Sequence, residues 1–179
     1  MRCFIAVDLP EHLRTALTNV QQEFEMKGIS LVRPDALHVT LRFLGEITED
    51  EVELAKRRLV SVKCERFDAM ALGLGYFSPQ RVSIIFARIQ DSSGFKTLHD
   101  NVNSALNDVI NLDKEQDYVP HITIARVRHA NINSIESRMK KAGDADFGVF
   151  NVDSFCLKLS RTTPDGHMYT TLKKFRLGS

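Results

Sequence analysis

The sequence predicts an α+β protein in which two similar lobes face each other across a cleft. Short apolar runs typical of strands alternate with helical stripes, and the order of these elements repeats once along the chain. Each half also carries one His-Φ-Thr-Φ motif, HVTL from His38 and HITI from His121, and the two histidines are 121 − 38 = 83 positions apart. A length of 179 residues suits one domain, so residues 1–179 are expected to form a single bilobal unit.

The first half begins with a strand followed by a helix. Residues 2–7 are apolar and β-branched, which predicts a buried strand. Asp8, Pro10 and Glu11 then predict a helix start in which Asp8 is the N-cap. An apolar stripe at helical spacing continues this helix until Gly28: Leu13, Leu17, Val20 and Phe24.

The strand that carries His38 comes next and leads into a second helix. Thr48 and Glu51 form a capping box, which predicts that this helix starts after Thr48. Its core-facing residues are expected to be Val52, Ala55 and Leu59. A further strand is expected over residues 70–74, which completes the first half.

The second half repeats this order of elements. A strand is expected over residues 82–89, and His121 lies in the strand that follows the next helix. The apolar stripe of that intervening helix is Phe95, Leu98, Val102, Leu106 and Val109. Asn133 with Glu136 predicts the start of another helix. Residues 155–177 then predict a hairpin that turns at the sequence TPDG.

The spacing within the two motifs places polar side chains on one face of each strand. Residues two apart on a strand share a face, with Cα atoms roughly 6.6 Å apart. His38 and Thr40 therefore point the same way, as do His121 and Thr123, while the aliphatic residues between them point into the core. If the lobes are related by an approximate two-fold axis, both pairs face one shared cleft.

Two histidines and two threonines across a cleft can bind a phosphate group and catalyse its reactions. Neutral and protonated imidazole coexist near pH 7, so one histidine can act as general base while the other acts as general acid. The threonine hydroxyls can donate hydrogen bonds to an anionic oxygen held between them. A metal site is not predicted, because two histidines are too few ligands and no nearby carboxylate shares their face. No other cofactor is expected.

Composition and charge narrow the class of protein. The net charge of +1 provides no broad basic surface for long nucleic acids, so an RNA partner would have to be held locally, at an end. No apolar run is long enough to span a bilayer, and the first residues do not form a signal peptide. Three widely spaced cysteines indicate reduced thiols, and hence a cytoplasmic protein. No membrane contact is expected.

Four stretches of the sequence carry a resemblance to a known family. They are RCFIAVDLP near the start, LHVTLRFLGE and PHITIAR around the two motifs, and, more loosely, LSRTTPDGHMYTTL near the end. Together they span nearly the whole chain. The sequence resembles the two-histidine phosphoesterase superfamily, and more closely the RNA 2′,3′-cyclic phosphodiesterases of bacteria and archaea, also called RNA 2′-5′ ligases or LigT-like proteins.

The resemblance implies a bilobal fold of antiparallel sheets and helices around a central cleft, and an activity without a metal. Such a protein hydrolyses the 2′,3′-cyclic phosphate at an RNA 3′ end to a 2′-phosphate, can join tRNA halves through a 2′-5′ linkage, and is expected to be a monomer. His38 and His121 would be the acid–base pair, and Thr40 and Thr123 the phosphate donors. The sequence leaves open which histidine is the base, and the resemblance favours His121.

Two more residues match the family but have the wrong strand parity for the cleft. Arg126 would add charge to the phosphate site, and Phe43 would stack on a terminal base or, by its parity, pack in the core. Arg126 can reach the cleft only if its strand bends near Ala125. Arg42 shares parity with His38 and is the best further candidate. The weaker candidates are Arg33, Arg81, Arg88, Arg128 and Arg161. His12 and His99 fall within predicted helices and are expected at the surface or at an edge.

Three other readings remain open on the sequence. A binding module would capture RNA ends or nucleotides without turning them over. A two-histidine phosphodiesterase could also act on another bond, such as that of a 2′-5′ oligonucleotide. A purely structural role is the weakest of the three, because it leaves the twin motif unexplained.

Overall fold

A computed structural model of the chain describes residues 1–77, 82–90, 93–110, 117–163 and 166–178. These ranges form nine strands and four α-helices. The first half contains β1 (Arg2–Asp8), α1 (Glu11–Gln21), β2 (Ile29–Leu31), β3 (His38–Glu46), α2 (Glu49–Leu59) and β4 (Phe67–Phe77). The second half contains β5 (Ile84–Gln90), α3 (Ser93–Leu106), β6 (His121–Val127), α4 (Ile132–Ala142), β7 (Asp146–Val152), β8 (Ser154–Thr163) and β9 (Gly166–Arg176).

The strands form one antiparallel sheet in the order β7-β4-β5-β6-β3-β1-β8-β9, and β2 pairs with β6. In each half, a strand that follows the His-bearing strand pairs with a strand of the other half. β4 of the first half lies beside β5, and β8 of the second half lies beside β1. The predicted α+β fold with two related lobes is therefore confirmed, and each lobe is built from strands of both halves. We call β3, β1, β8 and β9 the first lobe, and β6, β5, β4 and β7 the second.

The seam between the two lobes is narrow. Among the described residues, β3 and β6 share the single register pair Val39–Ile122. Both side chains are fully buried, as predicted for the aliphatic positions of the two motifs. The strands that carry the histidines therefore lie side by side at the centre of the sheet, and diverge from there.

The helices pack their predicted apolar faces against the sheet. The capping box at Thr48 and Glu51 is present, with the Thr48 hydroxyl accepting from the Glu51 amide at 3.2 Å. The three predicted core residues of α2 are buried. In α3, the predicted residues Phe95, Leu98, Val102 and Leu106 are also fully buried. Val109 lies just past the end of this helix and is half-buried.

Two predicted helix starts are wrong by a few residues. Asp8 is not an N-cap, because β1 extends through it and its carboxylate forms an ion pair with the Lys158 ammonium at 2.8 Å. Helix α1 begins at Glu11 without a side-chain cap. The cap of α4 is Asn131, whose side-chain oxygen accepts from the Asn133 amide at 2.8 Å. For α1, the strand pairing and the Lys158 contact keep Asp8 in β1. For α4, Asn131 and Asn133 both fit the pattern of a cap, and the helix uses the first of them.

The first helix is shorter than its apolar stripe suggests. Helix α1 ends at Gln21, and a 3₁₀ turn over Gln22–Phe24 carries the buried Phe24 ring into the core. The hairpin of β8 and β9 is confirmed, although Pro164 and Asp165 of its predicted turn lie outside the described residues.

Two strands, β2 and β7, were not expected from the sequence. In β7 the apolar alternation is interrupted at Gly148, which adopts φ 99°, beside an irregularity in the pairing with β4. Without a regular period of two, this stretch carries no clear strand signal. β2 is only three residues long, which is too short for any pattern.

Candidate active site

Strand β3 contains a bulge directly after its His-x-Thr pair. Thr40 and Arg42 pair with consecutive residues of β1, so Leu41 is an extra residue on this strand. The extra residue reverses the alternation of side chains beyond it. Phe43 consequently lines the cleft and is 62% exposed, whereas Arg42 is only 4% exposed and does not line it.

Strand β6 contains the same bulge at the same place in its motif. Thr123 and Ala125 pair with consecutive residues of β5, so Ile124 is the extra residue. The reversal brings Arg126 into the lining of the cleft, where an ideal strand would have turned it away. The fourth residue of each His-Φ-Thr-Φ motif is thus the bulge residue in both lobes.

The bulges overturn two expectations that rest on ideal alternation. Core packing of Phe43 is wrong, and so is the choice of Arg42 as the best further arginine of the cleft. The other described candidate arginines also lie outside the lining: Arg33, Arg88, Arg128 and Arg161. Arg33 instead pairs with Asp35 at the surface, at 2.8 Å, and Arg81 lies outside the described residues.

The cleft lies where the two lobes meet and has a volume of about 350 Å³. It brings together all six residues that the sequence singled out: His38, Thr40, Phe43, His121, Thr123 and Arg126. Both lobes therefore contribute a histidine and a threonine to one cavity. In the described part of the chain, no cluster of three or more His, Cys, Asp or Glu side chains is placed to hold a metal.

His38 is held by its backbone and by two aromatic rings. Its Nδ1 lies 2.7 Å from the carbonyl oxygen of Ala36, which can only accept, so Nδ1 carries the proton. Its Nε2 lies 3.1 Å from the Thr40 hydroxyl. The ring packs against Phe4, at 5.0 Å between centroids, and against the edge of Tyr169 at 5.2 Å.

His121 is held in the same way in the other lobe. Its Nδ1 donates to the carbonyl of Val119 at 2.8 Å, again two residues upstream. Phe77 and Phe86 flank the ring, with centroids at 4.9 and 5.2 Å. The tautomer is therefore the same for both histidines, and each leaves its Nε2 for the chemistry of the cleft.

The surroundings disfavour the charged form of both imidazoles. Burial lowers the pKa of His38 to about 4, and the charges of Lys158 and Arg126 act in the same direction. The hydrogen bond to Ala36 opposes this shift. Burial also lowers the pKa of His121, against the opposing hydrogen bond to Val119. Both rings are consequently neutral near pH 7 when the cleft holds no anion.

A tyrosine that the sequence did not single out bridges the two motifs. The Tyr118 hydroxyl, three residues before His121, donates to the carbonyl of Thr40 at 3.1 Å. Its ring stacks on His99 of α3, with centroids 4.0 Å apart and planes 6° apart. His99 is only 7% exposed, so the expected surface position is wrong. No period or motif marks this contact in the sequence.

Strand β9 adds two further cleft residues, His167 and Tyr169. They are two residues apart and therefore share one face of the strand, and their rings are nearly parallel, with planes 8° apart. The spacing of these two rings can be read in the sequence GHMYT, but only the order of the strands shows that the two side chains face the cleft. Arg2 and Phe4 on β1 also line the cleft. None of the helices in the described ranges is long and apolar enough to cross a bilayer.

Comparison with known proteins places this geometry in a family. The model of the 2′-5′ RNA ligase superfamily matches residues 8–162. The chain is 30% identical over 179 residues to the RNA 2′,3′-cyclic phosphodiesterase of Methanocaldococcus jannaschii, covering 98% of this chain and 100% of that protein. It is 31% identical to the RNA 2′,3′-cyclic phosphodiesterase of Thermus thermophilus, covering 99% and 90% of the two chains.

Solved structures show the same fold. The protein TT0787 of Thermus thermophilus superposes with a TM-score of 0.84 at 29% identity, covering 98% of this chain and 97% of its own. Escherichia coli LigT complexed with phosphate gives a TM-score of 0.78 at 22% identity, covering 99% and 98%. The resemblance seen in the motifs thus extends over the whole chain. The protein belongs to the 2′-5′ RNA ligase superfamily and, within it, to the family of the RNA 2′,3′-cyclic phosphodiesterases.

Proposed function

We propose that the protein hydrolyses the 2′,3′-cyclic phosphate at the 3′ end of RNA and leaves a 2′-phosphomonoester. The observation that carries the proposal is the pair of equivalent His–Thr units, one from each lobe, that line a single cleft. The relatives from Methanocaldococcus jannaschii and Thermus thermophilus support it, because both are named RNA 2′,3′-cyclic phosphodiesterases.

The two histidines divide the proton transfers of this reaction. Nε2 of His121 takes a proton from water as its oxygen attacks phosphorus, and the bond from phosphorus to the 3′ oxygen breaks. Nε2 of His38 gives a proton to the leaving 3′ oxygen. His38 must be protonated for this role, and the bound phosphate anion favours that state because an opposite charge nearby raises a histidine pKa.

Uncharged and positively charged donors complete the site. The hydroxyls of Thr40 and Thr123 donate to the phosphate oxygens, and Arg126 stabilises the charge that develops on them. Acid, base and oxyanion donors are all side chains of this chain, so the proposed reaction requires no metal. Phe43 offers its exposed ring to the terminal base.

Ligation uses the same groups with another nucleophile. If the 5′-hydroxyl of a second RNA replaces water, the same P–O3′ cleavage produces a 2′-5′ linkage. We therefore include the joining of tRNA halves in the proposal. In this account residues 1–179 act as one bilobal domain, as a monomer in the cytoplasm.

Product analysis in the presence of EDTA tests the proposal. A short RNA with a terminal 2′,3′-cyclic phosphate is incubated with the protein, and the product is compared with 2′- and 3′-phosphate standards. We expect a 2′-phosphate from the wild type and a large loss of rate in His38→Ala. Recovery of unchanged RNA that stays bound would favour a binding module, and activity only on 2′-5′ oligonucleotides would favour another two-histidine substrate.

A further inference from the structure

The cleft extends mainly into the first lobe. From the histidines it continues past Phe4 and Phe43 towards Arg2, with Tyr169 and His167 of β9 along its side. We call this set of five residues the nucleoside arm. If the reacting phosphate lies between the two histidines, as proposed above, the ribose and base of the terminal nucleotide fit into this arm.

Aromatic rings form the inner part of the nucleoside arm. The Phe4 ring lies 5.0 Å from His38, 6.2 Å from Phe43 and 4.9 Å from Tyr169, measured between centroids. Phe4 is buried, whereas the Phe43 ring is largely exposed to the cleft. A ribose and a base leaving the histidines therefore meet a continuous aromatic surface.

A cation lies at the outer end of the same arm. Arg2 is on the same face of β1 as Phe4 and roughly 6.6 Å further along the strand, by the ordinary rise of a strand. The structure records no hydrogen bond or ion pair for its guanidinium among the residues it describes. Its register partner Glu46 instead binds the N-terminal ammonium at 3.2 Å.

The cleft thus holds two arginines, Arg126 and Arg2, in different places. Arg126 lies on β6, three residues after Thr123, and lines the cleft beside the second His–Thr pair, which is where we place the reacting phosphate. Along β1, Phe4 lies between Arg2 and the residues that pair with His38 and Thr40, and its ring packs against the His38 ring. A cyclic phosphate diester carries one negative charge and occupies one of these positions. The second cation therefore indicates a second anionic group on the ligand, beyond the nucleoside.

We propose that Arg2 binds the 5′-phosphate of the terminal nucleotide, which makes the preferred substrate a nucleotide with phosphate groups on both sides of its ribose. This inference rests on the proposed hydrolysis and assigns the direction in which the substrate lies. The 3′ end enters between the histidines, and the chain leaves along the nucleoside arm. Arginine suits this role because its planar guanidinium binds phosphate through paired hydrogen bonds.

The test compares three substrates that share one reacting group. They are adenosine 2′,3′-cyclic phosphate, the same compound with a 5′-phosphate, and a dinucleotide that ends in the same cyclic phosphate. For the wild type we expect kcat/KM to be about tenfold higher when a 5′-phosphate group is present, a modest value for a charge-assisted contact at an exposed site. In Arg2→Gln the ratio should fall towards one.

Arg161→Gln is the matched control, because Arg161 is an exposed arginine of β8 that does not line the cleft. It should leave both the rates and the ratio unchanged. A wild-type preference for both phosphorylated compounds identifies the phosphodiester of the RNA chain as the ligand of Arg2. A preference for the 5′-monophosphate alone identifies the phosphate of a free nucleotide.

The inference is overturned if the wild type hydrolyses all three compounds equally, or if Arg2→Gln keeps the preference. A salt titration of the wild type tests the same contact without a variant. Added salt should screen the contact between Arg2 and the 5′-phosphate and bring the ratio of the kcat/KM values towards one. The effect of salt on the cyclic phosphate is common to all three substrates and cancels in that ratio. If none of the three compounds is hydrolysed, the proposed function fails, which is distinguishable from hydrolysis without a preference.

Discussion

Phe43 and Arg126 occupy equivalent positions in the two lobes. Each lies five residues after its histidine, since 43 − 38 = 5 and 126 − 121 = 5, and two residues after the bulge of its strand. The two lobes therefore contribute the same histidine and threonine to the site, but they differ at the position five residues after the histidine. An aromatic ring on one side and a cation on the other suit a ligand that has a base at one end and a phosphate at the other.

This relationship predicts the effect of removing the arginine that the second lobe contributes to the cleft. Arg126→Gln should lower kcat/KM for a cyclic phosphate by roughly 10- to 100-fold, the range expected for one charge-assisted phosphate contact. Arg88→Gln is the control, because Arg88 pairs with His121 across β5 and β6 but does not line the cleft. Equal losses in the two variants, measured by steady-state kinetics, would contradict the role of Arg126.

The lowered histidine pKa values predict an acid-shifted pH profile. The reaction requires one protonated and one neutral histidine, and in the free protein the pKa of His38 is about 4 and that of His121 is also lowered. The profile of kcat/KM, which reports the free protein, should therefore be bell-shaped with its maximum below pH 6.5. The profile of kcat should lie at higher pH, because bound phosphate raises both values. A kcat/KM maximum above pH 8 would be inconsistent with buried neutral imidazoles.

The same shift predicts how the free energy of unfolding depends on pH. The pKa of His38 is about 4 in the folded chain and about 6.5 in the unfolded chain, so the unfolded state binds more protons between these values. Stability should therefore decrease as pH falls from 6.5 to 4, by at most about 3 kcal/mol from this residue. Urea unfolding of His38→Asn should show a smaller decrease than the wild type.

A control for that measurement is His129→Asn, which removes an exposed histidine outside the cleft. It should retain the wild-type dependence on pH. If His38→Asn and His129→Asn have the same slope as the wild type, His38 is not the group whose burial is linked to stability.

The hydrogen bond between Tyr118 and Thr40 predicts a positioning role across the narrow seam. Tyr118→Phe keeps the ring on His99 but loses the contact with the Thr40 carbonyl. We expect kcat to fall about tenfold with little change in KM, because small displacements of catalytic groups slow the reaction more than they weaken binding. Tyr76→Phe loses a hydroxyl contact with Glu136 at 2.8 Å, away from the cleft lining. Both variants should lose about 1 kcal/mol of stability, but only the first should lose kcat.

Much of the fold and the centre of the site could be predicted, because both follow from local patterns. The twin motif, the capping box at Thr48 and the apolar stripe of α3 are each visible in a short stretch of sequence, and the structure contains all three. The bulges at Leu41 and Ile124 could not be predicted, since each residue is an ordinary aliphatic and the extra position exists only relative to a neighbouring strand. The exchange of β4 and β8 between lobes, and the contact of Tyr118 with Thr40, likewise depend on long-range pairing.

The most direct test of the central claim is a double-mutant cycle on the two histidines. The cycle compares His38→Ala, His121→Ala and the double variant by single-turnover hydrolysis of an RNA with a terminal 2′,3′-cyclic phosphate. If both act in one step, each single variant should lose roughly 10² to 10⁴ in rate, and the double variant should be little slower than the slower single one. Near wild-type rates in both single variants, with folding intact, would contradict the claim that the two lobes form one acid–base site.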